Sequence, residues 1–315
     1  MSSMLSRRPL GGTGLAVAPL CAGGAPLGSM PQQFGYRTPA ERGIATVRAV
    51  LDSGINFLDT ANIYADGGSE RRIGAALAEI GGPPDDFVLA TKVDRDAEGN
   101  FSGDRVRRSA EESLERLGVD RVPLLHLHDP EHISFEEAMA PGGAVEALFE
   151  LRAEGIADHI GLAGGPVGLM SRFLREAPFE VLLTHNRWSL LDRSADDLVD
   201  EAVERGVAVL NGAVFGGGML ARGPGESGKY AYREADEEIL DRARRMHEAC
   251  ERHEVPLAAA ALQFSVRDSR IASTIVGTSR PERVAETIRL AEHPVPEELW
   301  AELLPLAAPP ECWQW

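Results

Sequence analysis

Asp59, Lys92 and His128 each stand at the end of a short apolar run of the kind that forms a buried strand, and Tyr64 follows Asp59 by five residues. A buried carboxylate must be paired with a cation, because an isolated buried charge is costly. Lys92 is the candidate partner for Asp59. The types of these side chains are those that proton transfer requires.

A tyrosine hydroxyl titrates at about pH 10, and a neighbouring ammonium lowers its pKa by favouring the phenolate. We therefore expect Lys92 to lower the pKa of Tyr64, and Asp59 to hold Lys92 charged and in place. We expect His128 to hydrogen-bond the tyrosine or a substrate oxygen. Such a unit suits hydride transfer at a carbonyl or alcohol, where a cofactor supplies the hydride and the tyrosine handles the proton.

The composition restricts the partners. The 315-residue chain has 49 acidic and 32 basic residues and a net charge of −17, so we expect it to bind neither nucleic acid nor anionic membranes. Its three cysteines are far apart, which fits a reducing compartment. We find neither a signal peptide nor a membrane span. The sequence predicts a cytoplasmic protein with a small-molecule substrate.

Eight apolar strands alternate with helices, with no linker between them. This pattern predicts one domain, residues 1–315, folded as an α/β (β/α)8 TIM barrel with an N-terminal β-hairpin at 8–19 and extra C-terminal helices. The predicted strands are 20–24, 55–58, 87–92, 122–128, 160–163, 181–184, 207–210 and 272–276. The predicted helices are 39–53, 70–80 (capped by Ser69), 102–117, 144–154, 167–175, 195–205, 236–253, 257–266, 284–290 and 297–304, with a long loop at 216–233. Barrel enzymes carry their chemistry at the carboxyl ends of the strands, where Asp59, Lys92 and His128 fall.

These residues resemble the signature of the aldo-keto reductase family, and the resemblance covers nearly the whole chain. Residues 54–64 form a glycine-led strand that ends in Asp-Thr-Ala-x-x-Tyr, Lys92 lies in Ala-Thr-Lys-Val, and 127–130 are Leu-His-Asp-Pro. The resemblance implies an NAD(P)-dependent oxidoreductase that transfers a hydride between nicotinamide and a small carbonyl or alcohol. The implied catalytic tetrad is Asp59, Tyr64, Lys92 and His128.

The same resemblance implies a site for NADP, with NAD as the alternative. Thr278 and the amides at the start of the last barrel helix can bind an anion, and Arg283 can pair with a 2′-phosphate or stack on adenine. Several positions depart from the common family pattern, since Ala163, His185, Gly212 and Gly277 stand where many members have serine, glutamine, an aromatic residue and lysine. The implied cofactor contacts are Gly23, Gly24, Ala25, Asp59, Ala163, His185, Ala213, Val214, Phe215, Gly216, Gly277, Thr278, Ser279, Arg283, Glu286 and Thr287.

Several stretches resemble the bacterial aldose 1-dehydrogenase branch of the family, which includes L-fucose and D-threo-aldose dehydrogenases. They are residues 23–28, 128–130, 187–191, 206–209 and 215–220. The branch implies oxidation of an aldose at C1 to the lactone. The low aromatic content, 6%, also argues against a purely apolar pocket. The alternative within the family is a general aldehyde or ketone reductase.

Two further interpretations stay open at this point. His126 and His128 are two residues apart on one strand and therefore point to the same side, as in barrel hydrolases that depend on a metal. That interpretation leaves Asp59 and Tyr64 without a role, and our main prediction includes no metal. The other is a non-enzymatic barrel of the same family, such as a channel-associated subunit, against which the complete tetrad argues.

Overall fold

The computed structural model describes residues 5–223, 225, 228–231 and 233–314. Its strands are β1 (Arg8–Pro9), β2 (Ala16–Val17), β3 (Leu20–Gly23), β4 (Phe57–Asp59), β5 (Val88–Val93), β6 (Val122–His128), β7 (Ala157–Gly164), β8 (Val181–His185), β9 (Ala208–Gly212), β10 (Lys229–Tyr230), β11 (Arg233–Glu234) and β12 (Ile271–Gly277). Eight of them form a closed barrel in the order β12-β3-β4-β5-β6-β7-β8-β9. All neighbours in the barrel are parallel, which confirms the predicted fold.

Helices connect the barrel strands and cover the outside of the barrel. They are α1 (Pro31–Phe34), α2 (Ala40–Leu51), α3 (Gly68–Glu79), α4 (Gly103–Leu117), α5 (Phe135–Met139), α6 (Ala144–Ala153), α7 (Val167–Glu176), α8 (Asp196–Glu204), α9 (Met219–Arg222), α10 (Glu237–Arg252), α11 (Leu257–Val266), α12 (Pro281–Glu292) and α13 (Glu297–Leu303). Short 3-10 turns lie at 25–28, 130–132, 216–218, 304–306 and 310–312. Along the described residues, no helix combines the length and the apolar character needed to cross a membrane.

The barrel interior is filled by its own apolar cluster. Phe57, Val88 and Leu124 point inward from successive strands and are at most 4% exposed. Leu10 and Val17 of the β1–β2 hairpin belong to the same cluster. The hairpin therefore closes the amino-terminal end of the barrel and leaves the polar strand ends at the opposite end.

The helix after β4 begins differently from the prediction. Gly67 is its N-cap, with φ 74°, and Ser69 lies inside the first turn. The Ser69 hydroxyl donates to the Gly24 carbonyl at 2.8 Å and lies 2.8 Å from Thr60 Oγ1. The predicted cap at Ser69 is wrong because this hydroxyl is buried between the ends of β3 and β4, where it satisfies their backbone.

The predicted loop at 216–233 is partly ordered into secondary structure. It contains α9 and β10, and β10 pairs with β11 in an antiparallel register. Residues 224, 226, 227 and 232 of this loop lie outside the described residues. Helix α5 lies between the predicted strand 122–128 and the predicted helix 144–154. Its capping box is visible in the sequence as Ser134 followed three residues later by Glu137. Both helices have five residues or fewer, too short for an apolar periodicity to be recognised.

Candidate active site

The strand ends bring the four predicted catalytic side chains together. Asp59 is the last residue of β4, Lys92 lies near the end of β5 and His128 is the last residue of β6. These three strands are neighbours in the barrel. Tyr64 lies in the loop between β4 and α3, with its ring centroid 5.7 Å from that of His128.

Asp59 and Lys92 form a buried ion pair. Lys92 Nζ donates to Asp59 Oδ2 at 2.6 Å and to the Thr60 carbonyl at 2.6 Å, and the two side chains are 1% and 4% exposed. Burial is the largest single influence and lowers the pKa of Lys92. The charge and hydrogen bond of Asp59, together with Tyr64 and Asp94, outweigh burial and raise this pKa above its usual value. The ammonium is therefore charged throughout the physiological range, as predicted.

Lys92 is only one of several groups that shift the pKa of Tyr64. Lys92 Nζ lies 5.1 Å from the centroid of the Tyr64 ring, and its charge does favour the phenolate. Burial outweighs this effect, nearby carboxylates add to burial, and the pKa of Tyr64 is raised above its usual range. Lys92 therefore acts on Tyr64 in the predicted direction, but the net shift of the Tyr64 pKa is upward, and a protonated Tyr64 can donate a proton.

His128 is held by a carboxylate that the sequence analysis did not single out. Its Nδ1 lies 2.7 Å from Oδ1 of Asp94, the first residue after β5. Burial lowers the pKa of His128, but Asp94 and Asp129 together raise it by a larger amount. The net pKa therefore lies above the usual value. The signal in the sequence was the spacing Lys92-Val93-Asp94, which directs both charged side chains to one side of the strand.

Asp129 adds a second carboxylate at the open end of the barrel. Its Oδ1 lies 3.8 Å from His128 Nε2 and 3.8 Å from His185 Nε2, and it has no hydrogen-bond partner among the described residues. Burial raises the pKa of Asp129, but the two histidines lower it by a larger amount. The net pKa is therefore below its usual value. Asp129 is therefore an ionised acceptor beside Tyr64 and His128.

Three residues that directly follow barrel strands have a left-handed backbone although none is glycine. They are Asp129 after β6 (φ 43°), Asn186 after β8 (φ 59°) and Ala213 after β9 (φ 57°). This conformation costs about 1–3 kcal/mol per residue and is concentrated at functional sites. The strain lies at the same end of the barrel as the four polar side chains.

Predicted cofactor residues lie next to each other where the first barrel strand, β3, pairs with the last, β12. We call this junction the seam. Gly23 pairs with Gly277 in the β12–β3 register, and the Thr278 amide donates to the Gly23 carbonyl at 3.1 Å. A Cβ at Gly277 would lie 3.2 Å from Pro26 Cγ. A side chain at position 277 would therefore press against Pro26.

Helix α12 begins next to this seam and carries residues that were predicted to contact the phosphate. Its N-cap is Arg280, and Arg283 donates to Glu286 at 3.3 Å within the first turns. Thr287 is 5% exposed and faces the core. A helix N-terminus with two arginines, in a protein of net charge −17, provides the donors that a phosphorylated cofactor requires.

The remaining predicted cofactor residues lie around the same open end. His185 ends β8, and residues 213–216 follow β9. The side chains of Ala163 and Val214 are each 1% exposed and belong to the apolar clusters. Together with the seam, these segments surround the tetrad, and the residues present fit a nicotinamide dinucleotide.

Among the described residues, His126 and His128 are not accompanied by the further ligands that a metal site requires. His126 is fully buried beside Gly161 and is paired in register with Lys92. Burial and the charge of Lys92 lower its pKa well below the usual value. Within the described residues, no group of three or more histidine, cysteine, aspartate or glutamate side chains is arranged to hold a metal ion.

Comparisons with known proteins agree with this geometry. The sequence model of the Aldo/keto reductase family matches residues 19–306. D-threo-aldose 1-dehydrogenase from Pseudomonas sp is 33% identical over 92% of this chain and 94% of its own, and L-galactose dehydrogenase from Arabidopsis thaliana is 33% identical over 89% and 86%. The holo form of the aldo-keto reductase AKR11C1 from Bacillus halodurans superposes with a TM-score of 0.80, at 25% identity over 98% of this chain and 100% of that one.

The chain therefore belongs to the aldo/keto reductase family. It is an NAD(P)-dependent oxidoreductase that acts on small carbonyl or alcohol substrates, and its relatives include aldose dehydrogenases. This result confirms the predicted family and class of enzyme. It also removes the metal-dependent hydrolase and the non-enzymatic barrel as interpretations.

Proposed function

We propose that this enzyme oxidises an aldose at C1 to the lactone. The observation that carries the proposal is the Asp129 carboxylate. Its Oδ1 lies 3.8 Å from an imidazole nitrogen on either side and has no hydrogen-bond partner within the part of the chain that the structure describes. A buried acceptor without a partner is unfavourable, and a sugar hydroxyl would satisfy it. The similarity to D-threo-aldose 1-dehydrogenase and L-galactose dehydrogenase supports the same substrate class.

The tetrad would move the proton of this reaction. Tyr64, as phenolate, accepts the proton of the C1 hydroxyl, and Lys92 stabilises the phenolate charge. Asp59 keeps Lys92 charged and in place, and His128 hydrogen-bonds the substrate oxygen. A bound oxidised nicotinamide would supply the acceptor for the hydride of C1, so that the products would be the lactone, the reduced cofactor and one proton.

We propose NADP as the preferred cofactor. Arg283, the helix N-terminus of α12 and the hydroxyl of Thr278 are the groups that would bind its 2′-phosphate. We also propose a cytoplasmic location, which the free thiols of Cys21, Cys250 and Cys312 support because disulfides are rare there.

A second candidate function is the reduction of an aldehyde or ketone. The raised pKa of Tyr64 favours it, since a protonated tyrosine is the donor that reduction requires. In that direction His128 and Tyr64 would both donate to the carbonyl oxygen.

Initial rates with sugars and an aromatic aldehyde test the two candidates. L-Fucose, D-arabinose, L-galactose and benzaldehyde are each assayed with both cofactors, in both directions, across the pH range in which the protein is folded. We expect sugar oxidation, and we expect Asp129→Asn to raise KM for sugars while benzaldehyde reduction changes little. Asp158→Asn, at the amino-terminal end of β7, is the control. Reduction of benzaldehyde without oxidation of any sugar would leave the family assignment intact and exclude the aldose proposal.

A further inference from the structure

Asp94 links two parts of the active site through its carboxylate. The side chain is 2% exposed, and its Oδ1 lies 2.7 Å from His128 Nδ1. Its Oδ2 accepts the backbone amide of Ile63 at 3.0 Å. Ile63 directly precedes Tyr64, so one carboxylate contacts both the histidine and the loop that carries the tyrosine.

Helix α4 holds the backbone of Asp94 from the other side. The Asp94 amide donates to Ser109 Oγ at 2.9 Å, and the Asp94 carbonyl accepts from Arg105 Nε at 3.0 Å. The guanidinium of Arg105 is itself fixed, because it donates to both carboxylate oxygens of Glu112 at 3.0 Å. Helix α4 therefore fixes the backbone from which the Asp94 carboxylate projects.

We propose that Asp94 is a positioning residue that fixes the tautomer and the ring plane of His128 and ties them to the Tyr64 loop. The consequence for turnover rests on the proposed role of His128 at the substrate oxygen. The tautomer and ring plane of His128 can be tested without any ligand.

The chemistry follows from the donor and acceptor capacity of each group. An ionised carboxylate only accepts hydrogen bonds, so Nδ1 of His128 keeps its proton and Nε2 faces the substrate. Nε2 then carries a proton, and donates to the substrate oxygen, only when the ring is an imidazolium. The raised pKa of His128 extends the imidazolium to higher pH.

Several other charged or titratable groups face the same ring. They come from β4, from the loop after it, from β5, from β6 and from the residue after β6: Asp59, Tyr64, Lys92, His126 and Asp129. His185, at the end of β8, approaches Asp129. Only Asp94 among the described groups contacts Nδ1 at hydrogen-bond distance. Its removal should therefore change the tautomer, whereas the other groups change mainly the charge.

Asp94→Asn tests the proposal because asparagine offers one acceptor and one donor. If its oxygen stays on the Ile63 amide, its NH2 group faces His128 Nδ1 and forces the neutral ring to carry its proton on Nε2. We expect 15N NMR of the ligand-free protein to show the Nδ1–H tautomer in wild type and the Nε2–H tautomer in the variant, with titration of His128 moved to lower pH. Because a neutral Nε2–H is a weaker donor than the imidazolium of wild type, we also expect kcat/KM for reduction at neutral pH to fall roughly 10-fold.

Glu180→Gln is a matched control at the opposite end of the barrel. Glu180 Oε1 lies 2.8 Å from His159 Nδ1, and its Oε2 accepts the Ile160 amide at 3.2 Å. It thus repeats the histidine-plus-amide arrangement of Asp94 away from the tetrad. We expect this variant to leave the tautomer of His128 and the pH profile of turnover unchanged.

The NMR measurement on wild type decides the proposal even if the variant does not fold. A neutral His128 with its proton on Nε2 in wild type would overturn it, and so would an unchanged tautomer and titration in a folded Asp94→Asn protein. His128→Gln tests the role of His128 separately from the role of Asp94. Wild-type turnover in that variant would refute the proposed role of His128, while the tautomer result alone decides the role of Asp94.

Discussion

Replacing Lys92 by methionine should separate the contribution of the Asp59–Lys92 pair to stability from its contribution to turnover. The change leaves the Asp59 carboxylate buried, with its side chain 4% exposed and its Oδ1 already without a partner among the described residues. Breaking a buried ion pair from one side costs about 3–5 kcal/mol. Asp59→Asn should cost a similar amount, because the ammonium keeps only the Thr60 carbonyl.

The double variant Asp59→Asn/Lys92→Met buries no charge and is therefore expected to recover most of the lost stability. Neutral replacement of a buried pair is often neutral or stabilising. The coupling energy of the double-mutant cycle should thus be about 3 kcal/mol or more, in favour of the pair. Turnover should not recover, since Tyr64 would still lack the charge that favours its phenolate.

Thermal and urea unfolding of the wild type, the two single variants and the double variant at neutral pH would measure the cycle. Initial rates on the same four proteins would measure turnover. Additive stability losses would refute the view that each charge is tolerated only because of the other. A Lys92→Met protein with wild-type kcat would refute the role of Lys92 in proton transfer.

Three further predictions follow from the site. Tyr64→Phe should bind cofactor as wild type does, measured by fluorescence titration, and lose about 100- to 10,000-fold in kcat; near wild-type kcat would remove Tyr64 from the reaction. Arg283→Ala should weaken NADP binding roughly 10- to 100-fold while NAD binding is little changed. Glu286→Gln, which frees Arg283 from its ion pair, should instead strengthen NADP binding. Equal losses for both cofactors in Arg283→Ala would refute a phosphate contact. Because the raised pKa of Tyr64 keeps it protonated at neutral pH, sugar oxidation should rise with pH above neutrality and reduction should fall; an oxidation rate that is constant over that range would contradict this.

The fold and the position of the tetrad were predictable because strand periodicity and strand-end polarity are local properties of the sequence. Asp59, Lys92 and His128 close apolar runs, and a barrel brings such ends together whatever the details of its packing. Strand periodicity did not predict that Gly23 and Gly277 pair in the β12–β3 register, because that pairing joins the first and last strands of the barrel.

The sign of the Tyr64 pKa shift could not be predicted in this way. It depends on how far burial outweighs a cation 5.1 Å from the ring, and neither burial nor that distance is a property of neighbouring residues in the chain. Asp94 was missed for a related reason. Its partner His128 is 34 residues away, and the polar residue at position 94 resembles an ordinary loop residue until the loop is folded.

The hairpin β1–β2 has a consequence for the order of events in turnover. Because Leu10 and Val17 seal the amino-terminal end of the described barrel, substrate and cofactor must share the entrance beside Tyr64 and Asp129. Whichever ligand occupies the inner position has to enter first and leave last. Steady-state kinetics should therefore follow a compulsory order, and the departure of the inner ligand is a step that can limit the overall rate independently of the chemistry.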